Sequence, residues 1–357
     1  MTTRKTSAIF ILGVALYASA CSEKKSGSPV DQLPEVMVEE TYFTVRDTLN
    51  NVDTPAIWHQ SETQTWLLAT AKETDKVLAY DASTGSALSA FAESGSGSGQ
   101  LARPNSIAVL NDLAFVVERD NHRVQVFRLP EFTPIGDIGS DVLRRPYGLT
   151  LFLRDNQFVL YVTDNYETPD EQIPPSDELG KRVHRFNIMV SESGIQTIDH
   201  QYFGATSGPG VLYKVESLYA DTAYNRLLIA DEWEREISLK VYDLDGNFTG
   251  TVVGKDIFES EPEGIALYSC DGKPGYWIAT DQSFEKNVFI VFDQETLTPL
   301  GSFIAKNTQN TDGIALTQQA FEGFPNGAFF AVHNDGNISA TSWDVIADAL
   351  SLKQCTP

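Results

Sequence analysis

The sequence predicts an all-β chain folded as a six-bladed β-propeller with four-stranded antiparallel blades. Three observations lead there. Aromatic residues make up 11% of the 357 residues, and glycines are frequent in turn positions; that balance favours strands over helices. A unit also recurs: a polar opener, a short apolar strand, a turn, and a second strand that ends in polar residues. Its openers are Asp53, Asn105, Tyr147, Glu216, Glu263 and Asp312, most of them roughly 40–50 residues apart, the period of a propeller blade. A single blade cannot bury both its faces, so the repeats form one domain over residues 39–357.

Taken in order, Arg4 and Lys5 precede an apolar run from Ala8 to Ala18 that ends Ala18-Ser19-Ala20-Cys21. The pattern is that of a signal peptide over residues 1–21, too short to span a bilayer as a helix. Cysteine directly after small residues resembles the bacterial lipoprotein cleavage site, which implies that Cys21 is lipidated. Ordinary cleavage near Ala20 with an unmodified Cys21 is the alternative. The expectation is an exported bacterial lipoprotein, in the outer membrane, at the cell surface or in the periplasm, that meets the membrane only through its N-terminal lipid. Residues 22–38, rich in Ser, Lys, Pro and Glu, read as a flexible tether.

Tyr42 to Arg46 precedes the first opener and is expected to complete the last blade, closing the ring. The longest interval between openers contains Glu167 to Lys181, a Pro- and acid-rich stretch expected to be a loop insertion. Ser342 to Leu350 is the clear amphipathic helix. Cys270 and Cys355 are the other two cysteines. They either form a disulfide, pinning the C-terminal tail to the hairpin at Asp271-Gly272, or remain two free thiols.

A formal charge of −23 and a pI near 4.5 exclude nucleic acid as a partner, and an anionic substrate would need a bridging cation. Gly95-Ser96-Gly97-Ser98-Gly99 lacks the following Lys and helix start of a phosphate loop, and reads as an inter-blade loop. Asp243-Leu244-Asp245-Gly246-Asn247 reads as a hairpin turn rather than a calcium loop, because its glycine comes too early and no Glu closes it. No Cys or His spacing suggests zinc.

The acids remain. Inner-strand starts and second-strand ends from different blades converge on one mouth of a propeller. Asp53, Glu216, Asp231, Glu232, Glu261, Glu263, Asp281, Asp312 and Asp335 all occupy such positions. Oxygen donors without His or Cys select a hard cation, and an irregular cluster of carboxylates suits calcium better than magnesium.

Several of these segments carry a family resemblance. Asp53-Thr-Pro-Ala-Ile-Trp58, Pro262-Glu-Gly-Ile-Ala-Leu-Tyr268 with Gly275-Tyr276, Thr311-Asp-Gly-Ile314, Phe324-Pro-Asn-Gly-Ala-Phe329 and Ser342-Trp-Asp-Val-Ile-Ala-Asp348 occur in that order. Together they resemble the β-propeller phytases over roughly residues 40–350. The resemblance implies a monomeric 3-phytase-type phosphoric monoester hydrolase that uses several calcium ions to release phosphate from inositol hexakisphosphate. It also implies that Asp53, Glu216, Asp231 or Glu232, Glu261, Glu263 and Asp312 hold calcium, with Gln282 and Asp335 beside them. Lys72, Arg119 and Tyr147 fall where the family contacts phosphate. Glu263, with Glu216 and Asp231, stands where carboxylates meet the attacking water. Thr54 replaces the second Asp of the opening motif, Ser217 replaces a Gly, and Asp164-Asn165-Tyr166-Glu167 stands where the family has a Lys-Glu pair. Two other readings of the residues are a non-catalytic, calcium-stabilised binding module and a calcium-dependent propeller esterase or lactonase. The latter would want a hub base, for which His333, Asn310 and Asn105 are available.

Overall fold

A computed structural model describes residues 33–61, 63–192 and 194–355. The signal peptide, Cys21 and most of the expected tether lie outside the described residues. Twenty-four strands form six four-stranded antiparallel units, each ordered from the inside outward. Their inner strands are Val52–Ser61, Pro104–Leu110, Pro146–Arg154, Val215–Asp221, Glu261–Cys270 and Ile314–Thr317. Each inner strand neighbours the next, and the sixth neighbours the first, so the ring is closed.

The second strands Leu113–Glu118 and Arg226–Asp231 are buried along their whole length. Their near-continuous apolar sequence follows, because a blade on either side covers both faces. Fourth strands such as Gly194–Phe203 face water and alternate weakly. The hydrophobic core is accordingly divided among the blade interfaces. Phe115, Val117, Leu160 and Phe186 fill the space between blades two and three. Phe289, Phe303, Phe329 and Trp343 fill that between five and six, and Leu67, Ala69, Phe330 and Val332 that between six and one. Each such side chain stabilises the fold by roughly 1.5–3 kcal/mol, so the interface closing the ring is as well packed as any other.

An early segment performs the closure. Tyr42–Phe43 pairs antiparallel with Asn337–Ser342 and supplies the outermost strand of blade six, a shorter strand than the expected Tyr42 to Arg46. Glu35–Val38 adds a fifth strand to blade five, parallel to Pro299–Ala305. The tether expected over residues 22–38 therefore ends before Glu35, because Val38 is buried against that blade's apolar face.

The helix runs Trp343–Leu350 and seats Trp343, Ile346 and Ala347 in the core. Cys270 and Cys355 form a disulfide with Cα atoms 5.7 Å apart. Glu167 to Lys181 is a loop with a single 3-10 turn at Ser176–Glu178. The Gly95–Gly99 loop is held by Arg123, whose guanidinium donates to the Ser96, Gly97 and Gln100 carbonyls at 3.1 Å. Asp243 closes the expected hairpin turn, accepting the Asn247 amide at 2.8 Å.

Candidate metal centre

The openers are aimed at the channel by a repeated irregularity. In blade one Val52 pairs with Ala71 and Pro55 with Ala69, so Asp53 and Thr54 together oppose Thr70 alone. The same two-against-one bulge holds Tyr147-Gly148, Glu216-Ser217 and Glu263-Gly264 in blades three to five. A bulge bends the strand and redirects its side chain, and here it turns each opener inward. The residue after the opener is small because the next blade passes close by. A Cβ on Gly148 would lie 2.1 Å from the Glu216 carbonyl oxygen, and one on Gly313 would lie 2.4 Å from that of Asp53. The opener carbonyls themselves stitch the ring: Asn105 accepts from Thr54 Oγ1 at 3.0 Å, Glu216 from Thr163 Oγ1 at 2.8 Å, and Asp312 from the Gly264 amide at 2.9 Å.

The acids that end the second strands have a different task. Asp164 accepts the amides of Arg144 and Arg145, Asp231 those of Tyr213 and Lys214, and Asp281 those of Glu259 and Ser260, all within 3.1 Å. Glu118 takes the Ala102 amide at 3.1 Å, and in blade six His333 Nδ1 takes that of Gln309 at 3.0 Å. These side chains pin the loop that enters each inner strand. Asp231, expected at the metal and in catalysis, is such a pin. Its carboxylate also forms a fully buried ion pair with Lys240 at 2.9 Å, which leaves it turned away from the mouth. Asp281 is likewise a pin, which removes it from the expected hub.

The mouth-facing set comes from the openers and from the residue at or just after the end of five second strands: Lys72, Arg119, Asn165, Glu232 and Gln282. The first four donate their amides to the carbonyl of the residue two before the opener, at 2.9–3.1 Å, and Gln282 pairs with Glu261 at the same offset. Two groups result. In the first, the Lys72 ammonium lies 2.6 Å from Asp53 and 3.4 Å from Asp312. Tyr147 donates its phenol to Asp53 at 3.2 Å, and Gln282 donates to Asp312. Asp335 joins through Asp312 and faces Lys72. Burial disfavours the Lys72 charge, but Asp53 and Asp312 outweigh it and hold the ammonium well above its ordinary range. Burial, followed by the Asp53 charge, pushes Asp312 up to about 7, and burial with Asp53 and Glu216 nearby pushes the Tyr147 phenol far up.

The second group is Glu216, Glu232 and Glu263, with one carboxylate oxygen from each lying within 4.8 Å of the others. Burial raises the Glu216 carboxyl. Burial, then the charge of Glu216, raises Glu232, and burial, then the charges of Glu232 and Glu216, raises Glu263; both stand well above the usual range. Glu232 is 1% exposed, and neither of its oxygens makes a hydrogen bond. Its partner is the Lys214 ammonium, 3.1 Å from Oε2 and 3.6 Å from Glu261. Asn165 donates to Glu216 at 3.5 Å. Asn105, wholly buried, has both amide atoms without a partner.

Below this rim the channel, a cavity of about 270 Å³, becomes apolar, lined by Ile57, Val109, Leu151, Leu267 and Leu316. Chemically the rim is an oxygen-rich collar with more carboxylates than ammonium groups. Arg119, expected to contact phosphate, occupies the position equivalent to Lys72, yet its Nε is bonded to Asp120 at 2.7 Å and it belongs to neither group. Lys214 and Asn165 were not expected at the site. Their signal in the sequence is a fixed offset from the openers and second-strand ends, which becomes visible only when the blades are aligned on one another.

No protein-family model matches the chain, and no curated protein does. Among solved structures it is similar to one described as Kuenenia stuttgartiensis hydrazine synthase, at 12% identity and a TM-score of 0.53, covering 87% of this chain and 81% of that one. The chain is a β-propeller. A second structure, described as a nidogen/laminin complex, matches at 12% identity and a TM-score of 0.47, over 73% of this chain and 83% of the other. At these identities the likeness concerns the fold alone.

The donor set fits a hard divalent cation. It is all oxygen, and three clustered carboxylates, Glu216, Glu232 and Glu263, have a single ammonium in ion-pair contact, Lys214 at Glu232, among the described residues, so the excess of like charge leaves room for a further cation.

Proposed function

We propose that this chain is a calcium-dependent phosphomonoester hydrolase whose substrates are inositol phosphates, phytate foremost. The observation that carries the reading is the buried cluster of Glu216, Glu232 and Glu263, three carboxylates with one ammonium, Lys214, in ion-pair contact. The preference for phytate comes from the ordered motifs in blades one, five and six, not from the geometry.

Glu216, Glu232 and Glu263 would hold one part of a calcium cluster, and Asp53, Asp312 and Gln282 another. Bound calcium supplies positive charge that binds phosphate oxygens and acidifies water. The chain's own groups do the rest. Lys72 and Tyr147 fix the Asp53 carboxylate from two sides, so it need not reorganise when a substrate arrives. Glu263, beside Glu216 and Glu232 at the mouth, would accept the proton of an attacking water. The disulfide fits action in an oxidising compartment, in keeping with export as an N-terminally lipidated protein.

An esterase or lactonase reading finds little support, because His333 is occupied by the Gln309 amide, and the other two candidates, Asn105 and Asn310, carry amides too weakly basic to take a proton near neutral pH. The test is phosphate release from phytate with saturating calcium, for the wild-type chain and for Glu263→Gln. The wild type is expected to release phosphate and the variant to lose at least about 100-fold in turnover. A wild-type chain that binds calcium but releases no phosphate would establish a binding module instead.

A further inference from the structure

The two groups at the mouth each contain a lysine, and the two lysines are held differently. Lys72 is enclosed: its side chain is 9% exposed and lies between two acids. Lys214 has a side chain 35% exposed and approaches the Glu216–Glu232–Glu263 triad from its rim, forming ion pairs with Glu232 and Glu261. Its backbone is fixed independently of that contact. The Lys214 amide donates to Asp231 Oδ1 at 3.1 Å, and its carbonyl accepts the Glu232 amide at 2.9 Å. The ammonium can therefore leave without any change in the fold, while Glu232, almost wholly buried, cannot follow it into water.

We infer that Lys214 is a resident counter-ion that competes with the divalent cation for Glu232. The inference rests on the calcium reading of the mouth. In the absence of metal the ammonium neutralises part of the triad. A cation entering among Glu216, Glu232 and Glu263 repels it and takes over its carboxylate. Lys214 then swings to the exposed side, towards Glu261 and the open mouth, where it is available to an anionic substrate. Calcium affinity at this group is thus set by a lysine of the chain itself, and calcium binding converts a paired ammonium into a free one.

The test is calcium titration by isothermal calorimetry, with calcium alone as the ligand. Lys214→Met keeps the length and packing of the stem and removes the charge. It should bind calcium at least about tenfold more tightly than the wild type, and in a Glu232→Gln background the same substitution should change affinity less than about threefold. Equal or weaker binding by Lys214→Met, with the wild type binding normally, would overturn the inference and leave the calcium reading standing. Absence of calcium binding in both proteins would overturn the two together. Circular dichroism of each variant verifies that the propeller is intact, so that a loss of affinity cannot be confused with a loss of fold.

Discussion

Removing divalent ions should make the stability of this protein fall as pH rises, and Asp312 gives the size of the effect. Its carboxyl is raised from 3.8 to about 7 by burial and the neighbouring Asp53 charge. The folded chain therefore holds that proton more tightly than the unfolded chain does. The fold is favoured at low pH, the penalty begins as pH climbs past about 4, and it is complete above about 7. A gap of about 3 units corresponds to on the order of 4 kcal/mol. For a chain of this size that is roughly 5 °C in melting temperature. Glu216, Glu232 and Glu263, also raised, act in the same direction. His59, His200 and His333, held low by burial, act in the opposite one. Asp312→Asn isolates the carboxyl, because the amide oxygen still accepts from Gln282. Melting followed by circular dichroism in chelator, from about pH 5 to about pH 8, should show the wild type losing roughly 3–4 °C relative to the variant, because part of the penalty is already present at pH 5. Calcium added at the upper pH should restore the wild type. Parallel melting curves for the two proteins across that range would refute the electrostatic account of the mouth.

Two further outcomes test the scaffold. Gly148→Ala would place a methyl 2.1 Å from the Glu216 carbonyl oxygen, a backbone atom that cannot turn aside, and should cost at least about 3 kcal/mol in urea unfolding; Gly180→Ala, whose nearest neighbour is a Thr206 methyl at 3.4 Å, should cost under about 1 kcal/mol. Cys355→Ser opens a loop closed across 85 residues and should lower stability by roughly 2–5 kcal/mol, with reduction of the wild type giving the same loss; unchanged denaturant midpoints would show that the tail contributes nothing.

The fold was legible because its signals are local. Each opener, Asp53 through Asp312, begins a strand whose apolar residues and turn declare themselves within about ten positions, and the repeat period multiplies a weak signal. The fate of the acids was not local. Asp231 and Glu232 are adjacent, yet the first is tied to the Tyr213 and Lys214 amides and to Lys240 while the second faces the mouth. Strand geometry sends neighbouring side chains to opposite faces, and only the register of the blade says which face is which. The bulge at each opener, which sets that register, has no sequence mark beyond the small residue that follows. Lys214 escaped for a related reason: a lysine before a strand looks like solvated surface until the neighbouring blade supplies Glu261. The boundary at Glu35 escaped because a four-residue strand in parallel pairing depends wholly on its distant partner.

That pairing also bears on when the protein can become folded. Glu40 receives hydrogen bonds from Thr308, 268 positions away, and Thr44 from the Ile338 amide, 294 positions away. Contacts of such separation demand a large loss of chain freedom before they return any stability, and they form late. The segment at 35–44 must wait, extended and unpaired, until blades five and six exist to receive it. Until then the ring is an arc, with an apolar blade face uncovered at each end and an unpaired strand edge in blade six. The species most open to self-association is thus the complete but unlatched chain, and the latch itself is what ends that exposure.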